Sequence, residues 1–287
     1  MSRRTQTQKV AAVDDKPEVV QESASAMTGI SRFTDPLLKV GSSDNEPIAE
    51  EYRKLKAVIM QTARKQGMPY ILLVASAVGD EGKSVTAVNL ALNIARDNDQ
   101  HVVLVDADLR KPSLAKYLNL NGDTGLADFL RGSLSLKDSL VPVGVKKLLL
   151  MPAGKTLGNP VELLSSERMK LLIEQLRCSV PPAFVIIDTS PLLLFAEGRV
   201  LSSLVDGVIF VVKAGGASKL HISEALSTLK DANVLGLVCN QATDAITHRG
   251  YGYNYYSYYD HYRQGADQRK GGKPGVISRL FGQDGRR

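Results

Sequence analysis

Three short stretches of this sequence place together residue types that handle phosphate. The first is Ser76-Ala77-Val78-Gly79-Asp80-Glu81-Gly82-Lys83-Ser84. It follows an apolar run and opens a helical pattern with Val85, Val88, Leu92 and Ala95 on one side. In that context backbone N–H groups and a helix N-terminus face an anion, a lysine reaches the β/γ oxygens of a nucleotide, and a serine hydroxyl binds Mg²⁺. Gly79, Asp80, Glu81, Gly82, Lys83, Ser84 and Val85 are the residues assigned to nucleotide binding. Ala77 stands where the first glycine of G-x-x-x-x-G-K-[ST] would fall, so the competing reading is an ordinary strand-to-helix turn.

The second stretch is Val103-Leu104-Val105-Asp106-Ala107-Asp108-Leu109-Arg110. Its two carboxylates lie just past an apolar run, at the carboxyl end of a strand. One can hold Mg²⁺ and the other can accept a hydroxyl proton; spacing alone does not say which is the base. Phosphoryl transfer asks mainly for positioning and charge neutralisation, which a metal and a carboxylate pair can supply. The third is Val185-Ile186-Ile187-Asp188-Thr189-Ser190-Pro191, where Asp188 again ends an apolar run and reads as a second carboxylate on the metal side. Each aspartate alone is compatible with a solvated turn. The concurrence of the three stretches makes the nucleotide site.

A fourth feature lies near the C-terminus. Tyr251, Tyr253, Tyr255, Tyr256, Tyr258, Tyr259 and Tyr262 are seven of the ten tyrosines in the chain. Base stacking is one use of clustered aromatic rings, but stacking does not need a hydroxyl and phosphoryl acceptance does. Beside a phosphotransfer site, the cluster reads as acceptor.

These residues need a scaffold. Apolar runs at 70–76, 102–106, 147–151, 183–188, 207–213 and 234–240 read as buried strands, continuous in polarity as when both sheet faces are covered. Helical patterns at 83–96, 166–177, 197–204 and 218–231 separate them. The alternation predicts an α/β fold, a mostly parallel sheet flanked by helices, with ligands at the carboxyl ends of the strands. A further helix begins near Asn45-Glu46-Pro47, with Ile48, Tyr52, Leu55 and Ile59 on its apolar face. Residues 1–44 are polar and read as a disordered leader, 45–245 as the phosphate-loop domain, and 246–287 as a flexible tyrosine-rich and basic tail.

The 287 residues, 44% hydrophobic and 23% charged, suffice for one large domain and exclude wholesale disorder. The net charge of +6 is uneven: residues 263–287 carry +5 and residues 1–50 carry −2. A basic end rather than a basic groove argues against a nucleic-acid partner. Cys178 and Cys239 sit in apolar contexts and read as reduced core residues of a cytosolic protein. No apolar run reaches the roughly 18 residues of a membrane span.

Taken in order, these motifs resemble the bacterial tyrosine kinases of capsule and exopolysaccharide systems, over about Glu46 to Tyr262. Gly82-Lys83-Ser84 resembles their Walker A loop, Asp106-Ala107-Asp108-Leu109-Arg110 their D-x-D-x-R motif, and Asp188-Thr189-Ser190-Pro191 their Walker B. Asn159-Pro160-Val161-Glu162-Leu163-Leu164-Ser165-Ser166 is similar to their segment after the third strand. Glu50, Arg53 and Lys56 resemble the E-x-x-R-x-x-R helix that joins subunits into a ring, and Asn240 the asparagine that reads adenine in the wider ATPase group. Lys56 stands in place of an arginine and lacks its bidentate fork.

The resemblance implies a deviant Walker P-loop NTPase fold, ATP with Mg²⁺, and Lys83, Asp106, Asp108, Arg110 and Asp188 as catalytic, with Ser84, Asp106 and Asp188 around the metal. It implies transfer in trans to the tyrosine cluster, and regulation of polysaccharide polymerisation and export. The partners it implies are a membrane-embedded activator, other copies of the chain in a ring, and a cognate tyrosine phosphatase. The place it implies is the inner face of the cell membrane. A partition or division-site ATPase of the same fold is the alternative; those carry an early loop lysine where this chain has Val78.

Overall fold

The computed structural model describes residues 35–38, 47–67, 70–96, 100–145, 147–155, 159–179 and 181–242. The chain divides into two units, Met1–Asn240 and Gln241–Arg287, and the second contributes only residues 241 and 242 to the described part. Most of the expected leader, the Asn45-Glu46 helix start, the tyrosine cluster and the basic end lie outside the described residues.

In chain order the elements are α1 (Pro47–Gln66), β1 (Tyr70–Ser76), α2 (Lys83–Ala95), β2 (His101–Asp106), α3 (Leu114–Tyr117), α4 (Leu126–Arg131), β3 (Val141–Pro142), β4 (Leu148–Met151), α5 (Pro160–Leu164), α6 (Glu167–Arg177), β5 (Ala183–Asp188), α7 (Glu197–Ser202), β6 (Gly207–Lys213), α8 (Lys219–Ser227) and β7 (Val234–Asn240). All seven strands form one sheet in the order β3-β4-β2-β5-β1-β6-β7. Every pairing is parallel except the short β3 against β4. β1 is therefore interior, with β5 on one side and β6 on the other.

Alternate side chains of each strand go to opposite faces. Ile71, Leu73, Val103, Val105, Val185 and Ile187 belong to a core shared with α4, α6, α7 and α8. Leu72, Val74, Leu104, Phe184 and Ile186 belong to a second core under α1 and α2. Burying such side chains is worth about 1.5–3 kcal/mol each. Because both faces are dry, the sheet cannot tilt to accommodate a ligand. The strand ends are the rigid places.

Three expectations are corrected. Cys178 and Cys239 are exposed, not core. Cys178 caps the C-terminus of α6, and Cys239 lies on an edge strand. The apolar run 234–240 is not a buried strand: β7 is the sheet edge, and Leu237 is 60% exposed. Ile48 is 51% exposed. The buried residues of α1 are Ala49, Ile59 and Ala63, and α1 packs against α2, with Ile59 and Ala63 in their shared core. Short α3, α4, α5 and β3 carry no periodic signal because the helices span less than two turns and β3 only two residues.

The segment from Asn159 starts two helices by side-chain capping. Asn159 Oδ1 accepts from the Val161 N–H at 3.2 Å, with Pro160 at the first helical position. Ser166 Oγ accepts from the Met169 N–H at 3.3 Å. The start of α4 is held differently. Leu126 N–H donates to Pro152 O at 2.7 Å and Ala127 N–H to Ala153 O at 2.9 Å, so the helix end is stapled to the exit of β4. Gly125 makes that contact possible, since a Cβ there would collide with the Pro152 carbonyl oxygen. Gly125→Ala should therefore destabilise the protein by about 2–3 kcal/mol, read as a lowered midpoint in thermal or urea denaturation. An unchanged midpoint would contradict the backbone staple.

Candidate nucleotide and phosphotransfer site

β1 delivers the chain into the loop at Ser76, and α2 receives it at Lys83. Between them Gly82 adopts a left-handed conformation, φ 84°, which an L side chain resists. A Cβ at Gly82 would also collide with the Asn240 side-chain amide. Asn240 Nδ2 donates to Glu81 O at 2.9 Å, so the end of β7 is tied to the loop backbone.

Glu81 braces the loop from inside. Its side chain is buried, accepting from the Val78 N–H at 3.0 Å and facing the Lys213 N–H at 3.4 Å. Asp80 points the other way. It has φ 60°, and its side chain is 93% exposed, 3.9 Å from Lys111. The acid that would repel phosphate from within the loop is thus turned into water. Gly79 is also exposed, and Ser84 and Val85 are half-buried in the first turn of α2.

Lys83 Nζ donates to Asp188 Oδ1 at 2.7 Å and to Ser84 Oγ at 3.2 Å, and lies 3.9 Å from Asp108 Oδ2. The ammonium is itself buried. Asp106 and Asp188 are register partners on β2 and β5, side by side at the strand ends. Asp106 Oδ2 accepts from the Ser113 and Leu114 N–H groups, both at 3.0 Å. Asp106 Oδ1, Asp188 Oδ2 and Thr189 Oγ1 are buried with no hydrogen-bond partner among the described residues.

These contacts perturb the acids. Burial, and then the neighbouring Asp188 charge, push the Asp106 carboxyl up to about 7. The Leu114 and Ser113 N–H groups and Lys83 act against that rise. Burial also raises Asp108, against the opposing pull of Lys83 and of the Lys111 N–H.

Orphaned buried carboxylate oxygens beside a serine hydroxyl are hard donors short of a cation. They fit Mg²⁺, which takes one or two carboxylates plus substrate phosphates and keeps several waters rather than filling an all-protein cage. Among the described residues no group of three or more His, Cys, Asp or Glu is placed to hold a metal ion on its own. Ser84, Asp106 and Asp188 are the residues that would hold it.

The structure thus gathers Lys83, Ser84, Asp106, Asp108 and Asp188 at the carboxyl ends of the interior strands, as the sequence suggested. The Arg110 backbone N–H bonds the Asp108 carboxylate, but its side chain turns to other partners. Its Nε donates to Glu197 Oε1 at 2.8 Å, and its guanidinium stacks 4.2 Å above the Phe195 ring. Asn240 packs against the loop. On α1, Glu50 and Arg53 pair at 2.8 Å, and Lys56 Nζ donates to Asn93 O on α2 at 3.3 Å. The acceptor tyrosines lie outside the described residues. The sequence reading does not single out Glu197, and it takes Thr189 only as part of the motif after Asp188. The one signal for Glu197 was an acid directly after the apolar stretch Leu192-Leu193-Leu194-Phe195-Ala196.

A loop from an interior parallel strand, a buried lysine in its first helical turn and carboxylates on adjoining strand ends define a P-loop NTPase. The ParA family model, described as a NUBPL iron-transfer P-loop NTPase, matches residues 67–261. The chain is 33% identical over 208 residues to the tyrosine-protein kinase YwqD of Bacillus subtilis, a match covering 71% of this chain and 85% of that one. It is 33% identical over 181 residues to the succinoglycan biosynthesis transport protein ExoP of Rhizobium meliloti, covering 60% of this chain but 22% of that longer protein. The kinase domain of the Escherichia coli tyrosine kinase ETK superposes with a TM-score of 0.65 at 27% identity, over 72% of this chain and 80% of that domain. The chain belongs to the bacterial tyrosine kinase family, and its activity is that of a tyrosine kinase rather than of a partition ATPase. No helix among the described residues is long and apolar enough to cross a membrane.

The raised Asp106 has a consequence for stability. Its ordinary value is about 3.9, so between about pH 4 and about pH 7 the folded metal-free protein keeps a proton that the unfolded chain releases. The contribution of Asp106 to stability therefore falls as pH rises through that window and levels off above it. Asn at this position keeps an acceptor for the Ser113 and Leu114 N–H groups and removes the charge. Metal-free Asp106→Asn should melt above the wild type at pH 8, with the gap closing towards pH 4. Equal melting temperatures at pH 8 would contradict the buried-charge account.

Proposed function

We propose that this kinase uses MgATP to phosphorylate its own C-terminal tyrosines, in trans between copies of the chain, in a system that polymerises and exports polysaccharide. The observation that carries the chemistry is the convergence of Lys83 and Ser84 with three aspartates, two of which have unpartnered buried oxygens. The likeness to a tyrosine-protein kinase and to a succinoglycan biosynthesis transport protein supports the setting.

ATP is gripped by the loop amides and Lys83, which leaves Asp188 to meet the phosphates. Ser84, Asp106 and Asp188 would hold Mg²⁺, which would supply charge neutralisation on the transferred group. Either Asp106 or Asp108 accepts the phenol proton. The phenol oxygen then forms its bond to the γ-phosphorus as the bond to the β–γ bridging oxygen breaks, leaving ADP. The acceptors are Tyr251, Tyr253, Tyr255, Tyr256, Tyr258, Tyr259 and Tyr262. About ten residues of chain separate Gln241 from Tyr251, at most about 35 Å when extended, so reach alone permits either cis or trans.

Glu50, Arg53 and Lys56 on α1 are the proposed contact between copies, supported by their spacing on one helix. A separate membrane-embedded activator and a cognate tyrosine phosphatase complete the cycle. Each phosphotyrosine adds about −1.5 to −2 charges, so seven add roughly −10 to −14. That overwhelms the basic end and drives neighbouring copies apart.

Lys83→Met should lower tyrosine autophosphorylation by about 10²–10³-fold, the scale of one donor removed from a developing charge. A Lys83→Met chain mixed with an active chain truncated before Tyr251 should gain phosphotyrosine, and an unlabelled Lys83→Met chain would rule out transfer in trans. Full phosphorylation should shift the unphosphorylated oligomer to smaller species on sizing. An unchanged elution volume would exclude the charge-driven release.

A further inference from the structure

We propose that Glu197 is a positioning residue of the magnesium–nucleotide site, because one buried carboxylate at the start of α7 clasps the two loops that leave the aspartate-bearing ends of β2 and β5. Asp108 precedes Arg110 by two residues on the loop leaving β2. Asp188 precedes Ser190 by two residues on the loop leaving β5. The Glu197 side chain is fully buried. Its Oε1 accepts from Arg110 Nε at 2.8 Å, and its Oε2 lies 3.5 Å from Ser190 Oγ. The first contact is a strong charge-assisted bond and the second a long one.

A second contact fixes the same turn. Gly198 is so close to the β5 exit that a Cβ would meet Thr189 Cγ2 at 3.4 Å and Leu192 Cδ2 at 2.5 Å. The start of α7 therefore touches both neighbouring strand exits, one through Glu197 and the other through Gly198. Arg110 is fixed from its other side by the Phe195 ring at 4.2 Å. The pairing makes Arg110 part of a clamp rather than of the cation shell around phosphate.

A buried ion pair is weak evidence for a stabilising role: it is often no better than well-packed apolar residues, while removing one partner strands the other. What the pair supplies is a fixed relation between two loops. Asp106 and Asp188 are held in register by the β2–β5 ladder. Asp108 and the residues after Asp188 lie beyond that ladder, where Glu197 takes over. Removing a group bonded directly to a metal ligand typically alters metal affinity by about 10–100-fold. Glu197 acts one step further out, through Arg110 and Ser190 on the segments that follow the aspartates, which puts its effect at the low end of that range.

The inference rests on the Mg²⁺–nucleotide reading of the site, but its test does not require kinase activity. The affinity of the purified full chain for ADP is measured by calorimetry with and without Mg²⁺, for the wild type, Glu197→Gln, Glu197→Leu, Arg110→Leu and the double variant Arg110→Leu/Glu197→Leu. Thermal melting of each reports folding. Glu197→Leu should lose about 10-fold of the Mg²⁺-dependent gain in ADP affinity, with metal-free ADP affinity within about twofold of the wild type. Glu197→Gln keeps an acceptor for Arg110 and should retain more of the gain. The double variant should lose no more than the worse single variant, because the two side chains act as one clamp. A wild-type Mg²⁺ gain in folded Glu197→Leu, or additive losses in the double variant, would overturn the role of Glu197. A wild-type chain whose ADP affinity ignores Mg²⁺ would overturn both it and the underlying site reading. An absence of phosphotyrosine with the ADP results intact would sink only the kinase reading.

Discussion

Too much negative charge in too small a space governs this site. Asp106, Asp108 and Asp188 face a single buried ammonium, Lys83, at the ends of β2 and β5 and the start of α2. Water cannot dilute the imbalance, because Asp106 and Asp188 are almost fully buried. The protein answers with what it has. Lys83 bonds Asp188, backbone N–H groups bond Asp106, and the Asp106 and Asp108 carboxyls hold their protons to higher pH than usual. A dication bound with a nucleotide relieves the same imbalance, so the resting pairing and the working chemistry compete for the same atoms. Lys83 is at once the internal counter-ion and the group that must reach the phosphates.

The fold exists to make that crowding affordable. Strands buried on both faces give the carboxylates fixed roots, and the parallel register sets Asp106 opposite Asp188. The loop is braced from three directions: by Glu81 within it, by Asn240 from the end of β7, and by the Gly82 turn that only a residue without a side chain fits comfortably. Asp80 takes the outward position. Exposure follows the same division: the interior strands and the loop's inner acid are dry, while β7 and α8 at the edge are half open.

Much of this was legible in the sequence. Continuous apolar runs marked the interior strands because burial on both faces leaves no room for alternation. The aspartates followed those runs directly, so their place at the carboxyl ends of the strands needed only the parallel topology. Misreadings came where apolar composition did not decide burial. The run at 234–240 has the composition of an interior strand, but strand order made it an edge. Cys178 follows an amphipathic helix and caps its exposed end. Ile48 kept the helical spacing but lies at the first turn of α1 and stays exposed, while Ile59 and Ala63 further along join the core with α2. Glu197 was hidden for a different reason: its partner Arg110 is 87 residues away, a pairing no local pattern encodes.

The central claim is that the cluster at these strand ends moves a phosphoryl group to a phenol. The most direct measurement is incubation of the purified full chain with Mg²⁺ and γ-labelled ATP, with and without its activator, followed by phosphoamino-acid analysis. The account requires label on tyrosine, dependent on Mg²⁺ and absent from Asp188→Asn. Label recovered only as free phosphate, with none on the protein under either condition, would contradict it.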